Sequence, residues 1–140
     1  MSLKEKTAWV SLLATLLIYG NYFLDVGLKI DPATPTNAFM MKMITVVVGV
    51  IIVNIVGNII ANISSYKDSD EKYDERDRLI RARAGDISGN VLGVGVVIAS
   101  GQLFYNGTAI EIVHWVLLSL VVSEIVNNAI KIAHYRFWLQ

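Results

Sequence analysis

The chain contains no cysteine, which excludes disulfides, thiolate catalysis and cysteine-ligated metal sites. Histidine occurs only as His114 and His134. These fall toward opposite ends of the last apolar stretch, so they cannot share a metal, and each reads as a lone boundary residue. Proline is confined to Pro32 and Pro35, both in one connection, where it denies the chain regular helix. Charge is missing over long distances. Residues 7–24, 43–66 and 87–110 contain no Asp, Glu, Lys or Arg, and 112–130 is interrupted only by Glu124. The sequence offers no nucleophile paired with a base and no metal-ligand cluster, so no enzymatic activity, cofactor or metal is expected. Direct nucleic-acid binding is not expected either.

What is present is apolar length. Hydrophobic residues make up 54% of the 140, above the roughly 45–50% usual in soluble domains. Crossing a bilayer core takes about 20 apolar residues, and each of the four runs meets or approaches that length. The pattern predicts an all-α integral membrane four-helix bundle in one domain, with spans at about 7–25, 42–65, 87–105 and 109–132. The lipid bilayer is its first partner. The opening run lacks a small-x-small cleavage site and ends in Tyr19, Asn21, Tyr22 and Phe23, so it reads as a permanent span and not a cleaved signal peptide.

The distribution of Lys and Arg predicts orientation. Lys4, Lys6, Lys67, Lys72, Arg76, Arg78, Arg81, Arg83, Lys131 and Arg136 belong to the two termini and the second connection. Only Lys29 and Lys42 belong to the first connection. Short loops rich in basic residues stay cytoplasmic, which places both termini and residues 66–86 inside. Trp9, Tyr66, Tyr135 and Trp138 then fall near the inner boundary, and Tyr19, Tyr22, Tyr105 and Trp115 near the outer one, as an aromatic belt would. The third connection, Tyr105-Asn106-Gly107-Thr108, reads as a tight turn with positive φ at Asn-Gly.

An internal repeat is suggested by laying Val53-Asn54-Ile55-Val56-Gly57-Asn58 over Ser123-Glu124-Ile125-Val126-Asn127-Asn128. Two like-oriented hairpins would be related by an axis along the membrane normal, with Asn54, Asn58, Glu124 and Asn128 facing it. Asn54, Asn58 and Asn62 repeat every four residues and share a helical stripe. Glu124, Asn128 and Lys131 form a comparable stripe, and Ser88 and Asn90 enter at the same depth. A carboxylate in hydrocarbon costs about 2.5–3.5 kcal/mol on insertion scales, so Glu124 must face the bundle, be neutral or reach water. Lys131 lies two turns on, about 10 Å by helical rise, too far for direct pairing. The cluster reads either as interhelical hydrogen bonding or as a cytoplasm-facing vestibule. The small pairs Gly89/Gly93 and Gly57/Ala61 read as packing surfaces, within the chain or between subunits.

Thirteen of the twenty residues from 67 to 86 are charged, acids first and arginines later, a polarity that favours a helix. Asp74 can reach Arg78 and Asp77 can reach Arg81 at four-residue spacing, with Gly85 expected to end that helix before the third span. The run Asp74-Glu75-Arg76-Asp77-x-x-Ile80-x-x-x-Ala84 resembles a D-E-R-D/E-x-x-I-x-x-x-A pattern. That pattern occurs in small four-helix bacterial membrane proteins classed as domains of unknown function. The opening Leu3-Lys4-Glu5-Lys6-Thr7-Ala8-Trp9 is similar to theirs as well. The resemblance implies a bacterial inner-membrane location and no established activity, with a regulatory pairing to small helix-turn-helix regulators.

Two functional readings stand side by side. One is a non-enzymatic regulatory or interaction protein. It would act on a cytoplasmic or membrane protein partner through Asp74, Glu75, Arg76, Asp77, Arg78 and Arg81. The other is a small homodimeric transporter or channel-like protein. Its site would be Asn54, Asn58, Asn62, Glu124, Asn128 and Lys131.

Overall fold

The computed structural model describes residues 3–28, 30–31, 33–64 and 75–137. They form α1 (Leu3–Val26), α2 (Thr36–Ser64), α3 (Glu75–Ser100) and α4 (Ala109–Phe137), with a 3-10 turn at Gly101–Tyr105 between the last two and no strand among the described residues. All four helices are long and apolar enough to cross a membrane. The shortest such stretch, 23 residues in α1, is about 35 Å long at 1.5 Å per residue, against a hydrocarbon core of about 30 Å.

The helix ends follow local chemistry. Past α1, Gly27 takes φ 77° and its N–H donates to the Phe23 carbonyl at 2.9 Å, a left-handed C-terminal stop that glycine adopts without steric cost. Asp31 turns the chain by accepting from the Ala33 amide at 2.9 Å. Pro35, with its fixed φ, precedes the first turn of α2, and the Phe39 amide donates to its carbonyl at 3.1 Å. Helix therefore begins at Thr36, six residues before the expected start of the second span. At the other hairpin Asn106 has φ 58° and the Gly107 amide closes on the Gln102 carbonyl at 2.9 Å. A Cβ on Gly107 would lie 2.8 Å from that carbonyl oxygen, so the turn requires glycine. Thr108 and Glu111 then form a reciprocal cap. The Thr108 amide donates to Glu111 Oε2 at 2.7 Å and the Glu111 amide to Thr108 Oγ1 at 3.3 Å.

Gly85 does not end a helix. α3 runs unbroken from Glu75 into its apolar half, so the second half of the charged segment is a helical extension of the third long helix. Glycine in a helix interior costs about 1 kcal/mol relative to alanine. The face carrying Asp77, Ile80, Ala84 and Ser88, all buried, outweighs that.

In space the helices follow the order α2, α1, α4, α3. α1 packs on α2 and on α4, α4 packs on α3, and there is no comparable α2–α3 interface among the described residues. A two-fold relation between the hairpins would match the α1–α4 interface with an α2–α3 one, so the hairpins pack asymmetrically. Two glycines leave room for side chains of the facing helix. A Cβ on Gly57 would meet Val10 at 2.4 Å, and one on Gly95 would meet Ser119 at 2.5 Å. Gly57 and the buried Ala61 thus form the expected packing surface within the chain. Gly89 and Gly93 do not, since each faces open space.

The core is Tyr19, Tyr22, Phe39, Val50, Leu117 and Val121. Tyr19 and Tyr22 are only 4% and 2% exposed. They are turned inward, where apolar neighbours from three helices cover their rings. The outer faces of α2 and α3 expose runs of Ile and Val, among them Ile51, Ile52, Ile55, Ile59, Val94 and Val97. Monomeric soluble proteins rarely carry so continuous an apolar surface.

Candidate functional site: a polar cavity at the charged end

The start of α1, the end of α2, the start of α3 and the end of α4 meet at one end of the molecule. There they border a half-open cavity of about 240 Å³ lined, among the described residues, by Lys4, Thr7, Ala8, Ser11, Asn58, Arg81, Asn128, Lys131 and Tyr135. Helical spacing explains the lining. Lys4, Thr7, Ala8 and Ser11 recur every three or four residues on α1, as do Asn128, Lys131 and Tyr135 on α4, so each set presents one face.

Of the residues singled out from the intramembrane stripes, Asn58, Asn128 and Lys131 come together here. Asn54 sits one turn deeper. It accepts from Ser11 Oγ at 2.5 Å and donates to the Val50 carbonyl at 3.0 Å, tying α2 to α1. Glu124 lies behind the cavity wall, where Asn128 Nδ2 donates to its Oε1 at 2.9 Å and to its backbone carbonyl at 3.0 Å. Glu124 therefore bonds along its own helix. Asn62 is on α2, and its side chain lies outside the described residues. Ser88 is buried and its carbonyl accepts from Ser123 Oγ at 2.7 Å, joining α3 to α4. Asn90 is exposed and does not join the cluster, because two positions on from Ser88 the helix has turned away from α4.

The charged segment divides by face. Asp77 is 9% exposed and forms an ion pair with Lys4 of α1. Arg81 borders the cavity. Glu75, Arg78, Leu79, Ala82 and Arg83 are exposed. Asp74, together with its expected pairing to Arg78, lies outside the described residues, as does the side chain of Arg76.

Lys4, Ser11 and Tyr135 were not among the residues the sequence singled out for this cluster. Lys4 and Tyr135 carried only topological meaning there. Lys4 lies seven residues, two helical turns, before Ser11 and Tyr135 lies four after Lys131, and that spacing was the available signal.

A second polar feature lies at the opposite end. His114 is 1% exposed, a core residue and not a boundary one. Its ring stands 5.7, 5.1 and 5.7 Å from those of Tyr22, Phe23 and Phe39. Nε2 lies 3.0 Å from the Gly27 carbonyl, and Nδ1 lies 3.2 Å from the Tyr22 hydroxyl. A carbonyl only accepts, so a neutral ring carries its proton on Nε2 and receives the tyrosine O–H at Nδ1. The arrangement fastens the end of α1 and the start of α2 to α4. Among the described residues no three His, Asp or Glu side chains come together as a metal site.

Comparison with protein-family models, curated proteins and solved structures finds no match to this chain.

Proposed function

We propose that the chain is a multi-pass protein of the bacterial cytoplasmic membrane. Both termini and the charged segment would lie in the cytoplasm, and the protein would act as a non-enzymatic regulatory or interaction protein. The observation that carries this reading is the two-faced helical extension of α3. One face is docked on the bundle through Asp77 and Lys4. The other presents Glu75, Arg78, Leu79, Ala82 and Arg83. Leu79 is 69% exposed between charges of both signs, a mixture suited to a protein partner. Exposed apolar faces on α2 and α3 support burial in lipid, and ten of the twelve basic residues on the termini and second connection support the orientation.

The test is purification from native membranes in mild detergent, comparing wild type with a variant reversing Glu75, Arg78 and Arg83. A stoichiometric cytoplasmic or membrane protein that accompanies the wild type and is lost with the inserted variant supports the reading. A wild-type preparation containing only this chain contradicts it.

A second reading, a small dimeric transporter or channel-like protein, is supported by the cavity that Asn58, Asn128 and Lys131 share. The same sharing of Asn58 and Asn128, residues that correspond in the proposed alignment, supports a tandem origin of the two hairpins. Solute flux in liposomes that falls to the passive level in Lys131→Gln would favour it. Wild-type flux no greater than that of empty liposomes would dismiss it.

A further inference from the structure

We propose that His114 works a proton-operated latch at the end opposite the charged one, where uptake of a proton by its ring releases the end of α1 and the start of α2 from α4. The ring is 1% exposed and both its nitrogens are engaged. Nε2 stands 3.0 Å from the Gly27 carbonyl just past α1, and Nδ1 stands 3.2 Å from the Tyr22 hydroxyl. Phe39, at the start of α2, packs its ring 5.7 Å from the imidazole. Three elements therefore close on one titratable group.

The closed arrangement suits only a neutral ring. With Nε2 donating to Gly27, Nδ1 is left to accept from Tyr22. A proton on Nδ1 would set donor against donor. Tyr22 could then only accept, and its own hydrogen would be turned into the apolar core around it with no other partner among the described residues. The new charge would also lack a partner. On α1, Asp25 is paired to Lys42 of α2. On α4, Glu111 accepts from the Thr108 amide and hydroxyl. In the first connection Asp31 accepts from the Ala33 amide, and Lys29, outside the described residues, is of like charge. The turn Gly101–Tyr105 carries no charge. An aromatic face can hold a cation, but both N–H directions are already committed to Gly27 and Tyr22. Opening instead gives the ring to water, where imidazole titrates near about pH 6.5, the one side chain whose ordinary range answers to mild acid. The open form binds a proton that the closed form excludes. The latch is thus held above that range and is lost below it, by up to about tenfold in the open-to-closed ratio per pH unit. In the orientation proposed above this end lies outside. The latch depends on neither the partner reading nor the transport reading.

The experiment follows the full chain in mixed micelles from about pH 7.5 to about pH 5.5, across the imidazole range. The comparison variant is His114→Gln, whose amide can donate to Gly27 and accept from Tyr22 but does not titrate. Chemical unfolding should show the wild type losing about tenfold in its folding equilibrium beyond what His114→Gln loses, the shared part belonging to His134 and the carboxylates. A spin-label pair at Leu24→Cys and Val113→Cys, both exposed positions on α1 and α4, reads the latch itself. Its distance distribution should broaden in acid with His114 present and stay fixed with His114→Gln. Equal acid sensitivity of the two proteins overturns the proposal, and so does a wild-type distribution that does not change. Should His114→Gln not be recovered folded, nitrogen NMR of the histidine-labelled wild type takes its place. A neutral ring while the spin pair is closed and a charged one once it opens supports the latch; a charged His114 ring with the pair still closed overturns it.

Discussion

Replacing Gly95 by alanine should destabilise the protein, while the same change at Gly89 or Gly93 of the same helix should not. Alanine in a helix interior gains about 0.5–1 kcal/mol over glycine. At Gly89 and Gly93 nothing lies within 4 Å of the added Cβ, so that gain is realised. At Gly95 the new Cβ would stand 2.5 Å from Ser119 Cβ and Oγ and 3.3 Å from Ser119 Cα. Ser119 has little freedom to retreat, since its hydroxyl donates to the Trp115 carbonyl at 2.8 Å, so α3 and α4 must separate. Overpacking of this kind costs about 1–3 kcal/mol, which leaves Gly95→Ala about 1–3 kcal/mol less stable than Gly93→Ala, since both variants share the propensity gain. Ser119→Gly introduced into the Gly95→Ala background should recover part of the loss. Reversible unfolding in mixed micelles measures all of these variants. Gly95→Ala as stable as Gly93→Ala would refute the packing of α3 on α4 at this position.

Two further substitutions follow from buried polar groups. His114→Phe keeps a ring among Tyr22, Phe23 and Phe39 but leaves the Tyr22 hydroxyl and the Gly27 carbonyl without partners. It should cost about 2–3 kcal/mol, more than Tyr22→Phe, when both are compared by chemical unfolding. Thr15 is fully buried and its hydroxyl has no hydrogen-bond partner, so Thr15→Val, of similar shape, should stabilise by about 1 kcal/mol, seen as a raised Tm.

Much of the architecture was legible because it depends on one-dimensional signals. Uncharged runs mark the long helices, and Asn106-Gly107 marks the one connection that needs left-handed backbone. The start of α2 was placed late because Pro35 was read as excluding helix from the whole connection, when proline excludes it only upstream of its own position. Gly85 was read as a stop on propensity alone, and buried neighbours at Ile80, Ala84 and Ser88 override a cost of about 1 kcal/mol.

The site was half legible for a different reason. Spacing shows which residues share a stripe, but not how far a helix is rotated about its axis. Asp77, Ile80, Ala84, Ser88, Gly95 and Ala99 fall on the packed face of α3. Asn90, Gly89 and Gly93 fall off it, and nothing in a single sequence separates these alternatives. His114 is ambiguous in the same way, since a lone histidine on an apolar helix is a boundary or a core residue according to rotation. Lys4 reads from the sequence only as a basic residue of the N-terminus, and the fold also makes it a wall of the cavity. Only folding brings it to Asp77 and Lys131.

The central claim is a four-span protein with its charged end and both termini in the cytoplasm. The absence of cysteine allows single-cysteine labelling without background. Ala33→Cys and Asn106→Cys, in the two short connections, should react with a membrane-impermeant maleimide in intact cells. Arg83→Cys and Arg136→Cys should react only after the membrane is opened. Labelling of Arg83→Cys or Arg136→Cys from outside, or protection of both connections, would contradict the account.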